Sequence, residues 1–239
     1  MIYITGDTHR RFSGIAAFCE KHKTTKQDIM IILGDAGINF FSGRCDDYKD
    51  VEVKRKIEET LPITLFCIHG NHEQRPFAIP TYEEYVLDGD MKGIVYREKE
   101  FPSILFAKDG EIYDILGQKA VVIGGAYSID KYYRLMFGHP WFDTEQPSDE
   151  IKEYVEEQLE KEDWAVDYVF SHTAPKKYEP TESFSDDIDQ SRIDKSTEEW
   201  LDKIEEKLDY QSWYCGHYHI EKDIEKMHFR FGRIETLSL

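Results

Sequence analysis

The composition describes an acidic protein: of 239 residues, 40% are hydrophobic and 14% aromatic, and 30 Lys and Arg against 48 Asp and Glu give a net charge of −18. This apolar fraction is enough for a sizeable core. The charge repels nucleic-acid backbones at long range, which argues against a general role in coating DNA or RNA but leaves a small phosphorylated substrate open.

The cysteines and the N-terminal segment indicate a reducing compartment. The four cysteines form no CxxC or other paired spacing. The first residues, MIYITGDTH, have the pattern of a strand and lack the basic and long apolar regions of a secretion signal. No run approaches the ~20 apolar residues of a membrane helix. We therefore expect a cytoplasmic protein that does not associate with membranes.

Three buried strands and two helices are predicted in the first 70 residues. The strands are MIYIT (1–5), DIMIILG (28–34) and ITLFCIHG (63–70), and the helices are the segments 10–23 and 45–61. This βαβαβ order predicts an α/β fold with a mostly parallel sheet covered by helices.

From about residue 93 the pattern changes to short, closely spaced apolar runs, which predicts an antiparallel second sheet. These runs are GIVYRE, SILFAK, EIYDI and KAVVIGGAY. We find no repeat and no linker, so we expect two sheets that share one core in a single domain over residues 1–239.

Two further helices and a strand are predicted between residues 148 and 205. The first helix covers 148–162 with Ser148 as its N-cap, and the second begins with a capping box from Ser196 to Glu199. A strand is predicted at 165–172. The polar, proline-bearing loop 174–194 is long for a connection and is either a lid or mobile.

Polar side chains follow the predicted strands at the point where each strand ends. The candidates are Asp7 and His9, Asp35, Asn71 and His72, His172, and His217 and His219. The carboxyl ends of parallel strands meet at one edge of a sheet, where open α/β folds bind ligands. Residues two apart in an extended chain point to the same side, so Asp7 and His9 can face one point, as can His217 and His219.

The donor types indicate divalent metal ions. Carboxylate, amide and imidazole donors without a thiolate suit Mn, Fe, Zn or Ni rather than a sulfur site or an all-oxygen calcium site. Two aspartates, one asparagine and four or five of the histidines make at least seven donors, which are too many for one tetrahedral ion but suit two ions that share a carboxylate. Such pairs lie roughly 3.5–4 Å apart and bind both the attacking and the leaving oxygen in phosphoryl displacement.

The motifs GDTH, GDAG, GNHE, SH and GHYH, in this order, resemble those of the calcineurin-like metallophosphoesterases. The resemblance covers residues 5–219 and implies a four-layer α/β/β/α sandwich of two mixed sheets, with a dinuclear metal site at the C-terminal ends of the strands. It implies that Asp7, His9 and His219 bind one ion, that Asn71, His172 and His217 bind the other, and that Asp35 bridges them. His72 would protonate the leaving group.

The reaction that this resemblance implies is hydrolysis of a phosphate monoester or diester by a hydroxide that bridges the two ions. The branch of serine/threonine protein phosphatases is disfavoured, because GDAGINF has Ile38 where their histidine-orienting acid would stand. Glu73, Asp7 or a backbone carbonyl are the alternatives for orienting His72.

A narrower resemblance concerns the segment GGAYSIDKYYR, followed by WFDTEQPS, at 124–148. It is similar to a stretch of uncharacterised bacterial and phage metallophosphoesterases that follows the antiparallel strands. It implies that Tyr127, Ser128, Lys131 and Arg134 contact substrate and that Trp141 forms a stacking wall. Arg75, just after the third motif, is another candidate phosphate contact. The aromatic residues of this stretch fit a core or cap better than a platform for substrate.

Two alternative functions remain open at this point. One is a nuclease that uses the same metal site, with Lys131, Arg134, Lys176 and Lys177 as a small basic rim, although the overall charge disfavours it. The other is a non-catalytic interaction scaffold of the same fold. The sequence gives no indication of the oligomeric state.

Overall fold

A computed structural model describes residues 1–185 and 187–237 and shows an α/β fold. The helices are α1 (Ser13–His22), α2 (Tyr48–Thr60), α3 (Lys131–Phe137), α4 (Asp149–Lys161) and α5 (Ser196–Glu205). The strands are β1 (Ile2–Thr5), β2 (Ile29–Ile32), β3 (Thr64–Cys67), β4 (Glu83–Leu87), β5 (Met91–Arg97), β6 (Ile104–Ala107), β7 (Ile112–Ile115), β8 (Gln118–Ile123), β9 (Tyr168–Ser171), β10 (Ser212–Cys215), β11 (Lys222–Ile224), β12 (Met227–Phe229) and β13 (Glu235–Thr236).

The strands form one large mixed sheet in the order β11-β12-β10-β9-β8-β7-β5-β6-β3-β2-β1-β13, with β4 paired to β5. The sheet contains two parallel blocks. In the first block β1, β2, β3 and β6 run parallel, and in the second β8, β9, β10 and β12 do so. Antiparallel pairing of β5 with β6 and with β7 joins the blocks.

Three hydrophobic clusters determine how this sheet packs. The first contains residues of both blocks, among them Ile31, Phe66, Val122 and Phe170, so the sheet curls until the two blocks pack against each other. The second packs α4 and α5 on the outer face of the second block, and the third packs α1 and α2 on that of the first. Because both faces of these parallel strands are buried, their sequences are almost continuously apolar.

The first-half prediction of three parallel strands and two helices is confirmed. The antiparallel second sheet is wrong in part, because β6 joins the first block parallel to β3, and β8 lies parallel to β9. Short turns connect the strands that pair as hairpins, and these pairings are visible in the sequence. The neighbour on the other side of each strand comes from a distant part of the chain, so the local pattern does not reveal it. Neither β4 nor α3 was predicted, since the first is exposed and the second buries no residue.

Of the two predicted helix caps, one is confirmed. The Ser148 side chain accepts a hydrogen bond from the backbone N–H of Ile151 at the start of α4. The capping box at Ser196 is wrong, because Ser196 lies inside the first turn of α5 and its backbone N–H donates to Asp194 Oδ1 at 2.9 Å. Among the helices of the described chain, none has the length and apolar character needed to cross a membrane.

Candidate metal centre

The ends of five parallel strands bring the predicted donors together. Asp7 and His9 follow β1, Asp35 follows β2, and Asn71 follows β3, all in the first block. His172 follows β9, and His217 and His219 follow β10, in the second block. Since the two blocks pack face to face, their carboxyl ends meet at a common edge.

The first group of donors is Asp7, His9 and His219. His219 Nε2 lies 2.8 Å from His9 Nε2 and 3.2 Å from Asp7 Oδ2. Asp7 Oδ1 accepts a hydrogen bond from the backbone N–H of His217, whereas the buried Oδ2 has only imidazole nitrogens beside it, of His219 at 3.2 Å and of His9 at 3.7 Å, without a well-aligned hydrogen bond within the described chain. A buried carboxylate oxygen without a donor is unfavourable, and a cation beside it would remove that penalty. The three side chains therefore fit a divalent ion.

The protonation states of Asp7 and His9 also suit a cation, whereas the hydrogen bond to the Asp7 carboxylate raises the pKa of His219, so this imidazole would release a proton when metal binds. Burial alone would raise the pKa of Asp7, but contact with His219 and the charge of His172 outweigh burial and lower the pKa to about 2. Burial lowers the pKa of His9, although the Asp35 carboxylate acts in the opposite direction. Ionised carboxylate and neutral imidazole are the forms that bind metal.

The second group of donors is Asn71, His172 and His217. Asn71 Nδ2 donates to Ser128 Oγ at 2.9 Å, so Oδ1 is the atom that faces the imidazoles. Oδ1 lies 2.8 Å from His172 Nε2 and 3.2 Å from His217 Nδ1. His172 Nδ1 donates to the Leu33 carbonyl at 2.8 Å, which leaves the lone pair on Nε2. Electron-pair donors thus converge in a buried space, as in a metal site.

Asp35 lies between the two groups. Its Oδ2 atom is 3.9 Å from His9 Nδ1 and 3.9 Å from His172 Nε2, and its Oδ1 accepts the backbone N–H of His72 at 2.9 Å. The carboxyl and imidazole atoms form two sets, each within 4.8 Å: Asp7, His9 and His219, and Asp7, Asp35 and His172.

His72 lies at the edge of these donors. Its Nε2 atom is 3.8 Å from Asp35 Oδ2 and 3.4 Å from an Nη atom of Arg134. Burial lowers the pKa of His72, the Asp35 carboxylate acts to raise it, and the Arg134 guanidinium lowers it further. A largely neutral imidazole therefore stands beside the donor set.

Backbone strain is concentrated in this region. Four of the donor residues have a left-handed backbone conformation, with φ of 44° at His9, 47° at Asp35, 64° at His217 and 53° at His219. Positive φ is uncommon for residues other than glycine and clusters at functional sites, where the surrounding structure enforces it.

Two glycines permit the close approach of the donors. A Cβ atom at Gly34 would lie 2.0 Å from His172 Nδ1, and one at Gly70 would lie 2.0 Å from Asp35 Oδ1. Gly34 also has φ of +95°, which L side chains rarely adopt. Any larger residue at either position would displace a donor.

We expect Gly34→Ala to bind metal about 10- to 100-fold more weakly, because the added methyl group pushes His172 away from the other donors. Titration of Mn²⁺ into the purified variant measures this change. Gly89→Ala is the matched control, since a Cβ at Gly89 would meet no atom within 4 Å. Unchanged Mn²⁺ affinity in Gly34→Ala would contradict the importance of this close approach.

The sequence model of the calcineurin-like phosphoesterases matches residues 1–221. The chain belongs to this family. Membership places the protein among the phosphoric ester hydrolases, which generally use divalent metal ions, and agrees with the groups of carboxyl and imidazole side chains described above.

Other comparisons add little to the family assignment of this phosphoesterase. A solved structure of a protein serine/threonine phosphatase from Saccharomyces cerevisiae, described as similar to the human phosphatase PP5, matches with 14% identity and a TM-score of 0.30. The match covers 96% of this chain and 66% of the yeast chain. A comparison with curated proteins gave no match. The assignment therefore depends on the family's sequence model.

A cavity of about 410 Å³ lies beside the donors of the phosphoesterase. Asp35, Asn71, His72, His217 and His219 contribute to its wall. The loop predicted at 174–194 contains three 3-10 segments, and its described part lines the same cavity through Phe184 and Ile188 among others. The described part of the loop therefore forms one wall of this cavity, and its role as a lid stays a prediction.

Arg75 does not fit the predicted contact with phosphate. Its side chain is 1% exposed and is not part of the cavity wall. The guanidinium forms an ion pair with Asp109 and donates to the carbonyls of Thr144 and Gly124. All of its nitrogens are thus engaged in holding neighbouring loops together, and sequence proximity to the third motif was a misleading signal.

Ser128, Trp141 and Lys131 also differ from the predicted substrate contacts. Ser128 is buried and accepts from Asn71, while its backbone N–H donates to Glu145 Oε2 at 3.2 Å. Trp141 Nε1 donates to the same oxygen at 2.8 Å, and the Lys131 ammonium covers the indole ring at 4.3 Å. These residues brace the Asn71 amide rather than line the cavity.

Two other residues of the same stretch do lie at the site. Tyr127 lines the cavity, and Arg134 contacts His72 from α3. Arg134 also donates to Asp130 Oδ1 at 2.8 Å, and Asp130 lines the cavity as well. The sequence prediction that this stretch reaches the site therefore agrees with the structure for Tyr127 and Arg134.

Glu73 holds the backbone of two motifs in place. Its carboxylate accepts from the backbone N–H groups of Gly37, Ile38 and Gly70 at 3.0 to 3.3 Å. Burial and the charge of Asp35 raise the pKa of Glu73 to about 8. Of the acids considered for orienting His72, Glu73 is thereby excluded, and the carboxylate near the imidazole is that of Asp35.

Proposed function

We propose that this protein hydrolyses a phosphate monoester or diester at a centre of two divalent metal ions. The observation that carries the proposal is the convergence of seven oxygen and nitrogen donors from five strand ends, with the buried Asp7 carboxylate common to both groups of carboxyl and imidazole side chains. When bound, such ions lower the pKa of water so that hydroxide forms near neutral pH, and they neutralise the phosphoryl oxygens. Mn, Fe, Zn and Ni remain the candidate metals.

Each donor group would hold one ion. Asp7, His9 and His219 form one set, and Asn71, His172 and His217 form the other. Asp35 is the candidate bridge, because its Oδ2 atom is equally distant, at 3.9 Å, from a histidine of each set. The hydrogen bonds from His172 to Leu33 and from Asn71 to Ser128 keep the donor atoms turned inward before any ion binds.

His72 would protonate the oxygen of the leaving group. A leaving alkoxide requires a proton, which a protonated imidazole can supply; because burial lowers the pKa of His72 in the substrate-free protein, this role requires that the negative charge of the bound phosphoester raise that pKa. His72 belongs to the cavity wall and is not needed to complete either donor group. Arg134, 3.4 Å from the imidazole, is positioned to contact a phosphoryl oxygen.

The architecture that we propose for this centre is the four-layer α/β/β/α sandwich, in a single domain over residues 1–239. One hydrophobic cluster lies between the two strand blocks, and one further cluster lies on the helix-covered outer face of each block. Three interfaces are what four layers require.

The test is a panel of phosphoesters assayed with protein that has been stripped of metal and reloaded with Mn²⁺. The panel contains an aryl monoester, linear and cyclic diesters, a phosphopeptide and an oligonucleotide. We expect turnover of at least one small ester and none without metal. Dominant cleavage of the oligonucleotide, steeply weakened by salt, would favour a nuclease. A metal-loaded protein inert to the whole panel would overturn the proposal in favour of a scaffold.

A further inference from the structure

The cavity beside the metal centre extends under the loop that precedes α5. On this side its wall includes Phe184, Ile188, Ile193, Lys195, Glu198 and Tyr218, which we call the distal chamber, and Ser183, Ser185 and Gln190 add polar groups beside them. The Phe184 and Tyr218 rings stack with centroids 6.2 Å apart. Aromatic and aliphatic walls of this kind suit an apolar group.

Glu198 is the unusual member of this wall. Its side chain is 3% exposed, and Oε1 accepts from Thr173 Oγ1 at 2.9 Å. The second oxygen, Oε2, is buried and makes no hydrogen bond within the described chain. An unpartnered buried carboxylate oxygen is unfavourable unless a ligand supplies a donor. Thr173, whose hydroxyl donates to the other oxygen, follows the metal-donor candidate His172 directly in the sequence.

The charges of the chamber restrict what can enter. Lys195 is the only lysine or arginine of the described cavity wall, and it is paired with Glu179 at 2.6 Å. Asp130, Glu179 and Glu198 contribute carboxyl groups to the same wall. Burial and the charge of Glu179 raise the pKa of Glu198 to about 7. A second phosphate or a carboxylate on the leaving group would be repelled here.

We propose that the distal chamber binds the leaving group of the substrate and selects a neutral, apolar or aromatic group whose N–H or O–H donates to Glu198 Oε2. This inference rests on the proposed function, and it names the substrate class of that same site. It excludes leaving groups that carry a further negative charge. Glu198 acts as a specificity-determining residue, since neither donor group includes it.

The experiment compares 4-aminophenyl phosphate with 4-methylphenyl phosphate. The two esters have similar shapes and leaving phenols of similar acidity, but the aniline N–H₂ is a donor and the methyl group is not. At a pH well above the raised pKa of Glu198, where its carboxylate is ionised, we expect the wild type to favour the amino ester about 10-fold in kcat/KM, the effect expected of one hydrogen bond to a charged acceptor. Glu198→Gln should lose this preference, because its amide places a donor opposite the aniline.

Glu199→Gln is the matched control: it makes the same change one residue away, on a carboxylate that pairs with Lys176 at the surface. It should keep the wild-type preference. Phe184→Ala provides a second variant in case Glu198→Gln fails to fold. It should raise KM for both esters and leave their ratio unchanged. Equal rates for the two esters in the wild type, or an unchanged ratio in Glu198→Gln, would overturn the proposal.

A binding measurement separates this proposal from the proposed function. Titration of 4-aminophenol and 4-methylphenol into the metal-free protein, followed by NMR, requires no turnover. We expect tighter binding of 4-aminophenol to the wild type and equal binding to Glu198→Gln. If that preference is seen while no ester is hydrolysed, the phosphoesterase proposal fails, and the chamber is a binding site for a donor-bearing aromatic ring but not for a leaving group. If esters are hydrolysed but neither phenol binds preferentially, the chamber proposal fails alone.

Discussion

Asp35→Asn should reduce kcat/KM for any hydrolysed phosphoester by about 10³-fold or more. The Asp35 carboxylate is buried, and its Oδ2 atom faces a histidine of each donor group at 3.9 Å. The substitution removes the negative charge that the two ions of the proposed centre would share, with almost no change of shape. Its amide oxygen can still accept the backbone N–H of His72, so the fold should persist. Steady-state kinetics and the metal content of the same sample measure the effect.

Asp114→Asn is the control for the chemical change. Asp114 is a half-exposed carboxylate in β7 that accepts from the backbone N–H of Gly117 and pairs with Lys92. This variant should keep full activity and full metal content. Circular dichroism should show both variants folded. If folded Asp35→Asn retained both the activity and the metal of the wild type, the cluster at the strand ends would not be the catalytic centre.

The donors could be predicted from the sequence because each one follows a buried strand. A run such as MIYIT or ITLFC can be recognised by its apolar residues alone, and in a parallel sheet the residues after such runs share one edge. Polar residues directly after such a run, such as Asn71 and His172, are then recognisable as candidates, because packing of a hydrophobic core does not require them. The prediction that these side chains meet depended only on the local sequence pattern and on the parallel topology, and the structure brings the side chains together.

The residues that brace the donors gave no comparable signal. Ser128 and Glu145 lie in loops, and their contact with each other and with Asn71 depends on how distant segments pack. Glu198 is one acid among several at the start of α5, and only the structure shows that its side chain is buried. The predicted phosphate contact of Arg75 was wrong for a related reason. Its ion-pair partner Asp109 lies 34 residues away in sequence, so the local pattern could not show that the side chain is engaged in the interior.

His72→Ala should lower kcat by about 10²- to 10⁴-fold while the protein keeps its metal. The imidazole lies beside the donor groups, 3.8 Å from Asp35 Oδ2, and lines the cavity where a leaving oxygen would stand. If it supplies a proton to that oxygen, the loss should depend on the leaving group. The decrease in kcat should be largest for an alkyl ester, because an alkoxide cannot leave without being protonated. The decrease in kcat should be smallest for a 4-nitrophenyl ester, since 4-nitrophenolate is a weak base and leaves readily without protonation.

The comparison of these two esters distinguishes proton donation from other roles of His72. His228→Ala serves as the control histidine, because His228 is bonded to Asp223 in the β11–β12 pair and does not line the cavity. A site emptied of metal in His72→Ala would make His72 a ligand instead. An equal loss on both esters, with metal retained, would assign it to positioning the phosphoryl group together with Arg134. His72 is supported as the proton donor only if the loss of activity grows with the basicity of the leaving group. Of the roles considered, proton donation is the one whose benefit depends on that basicity.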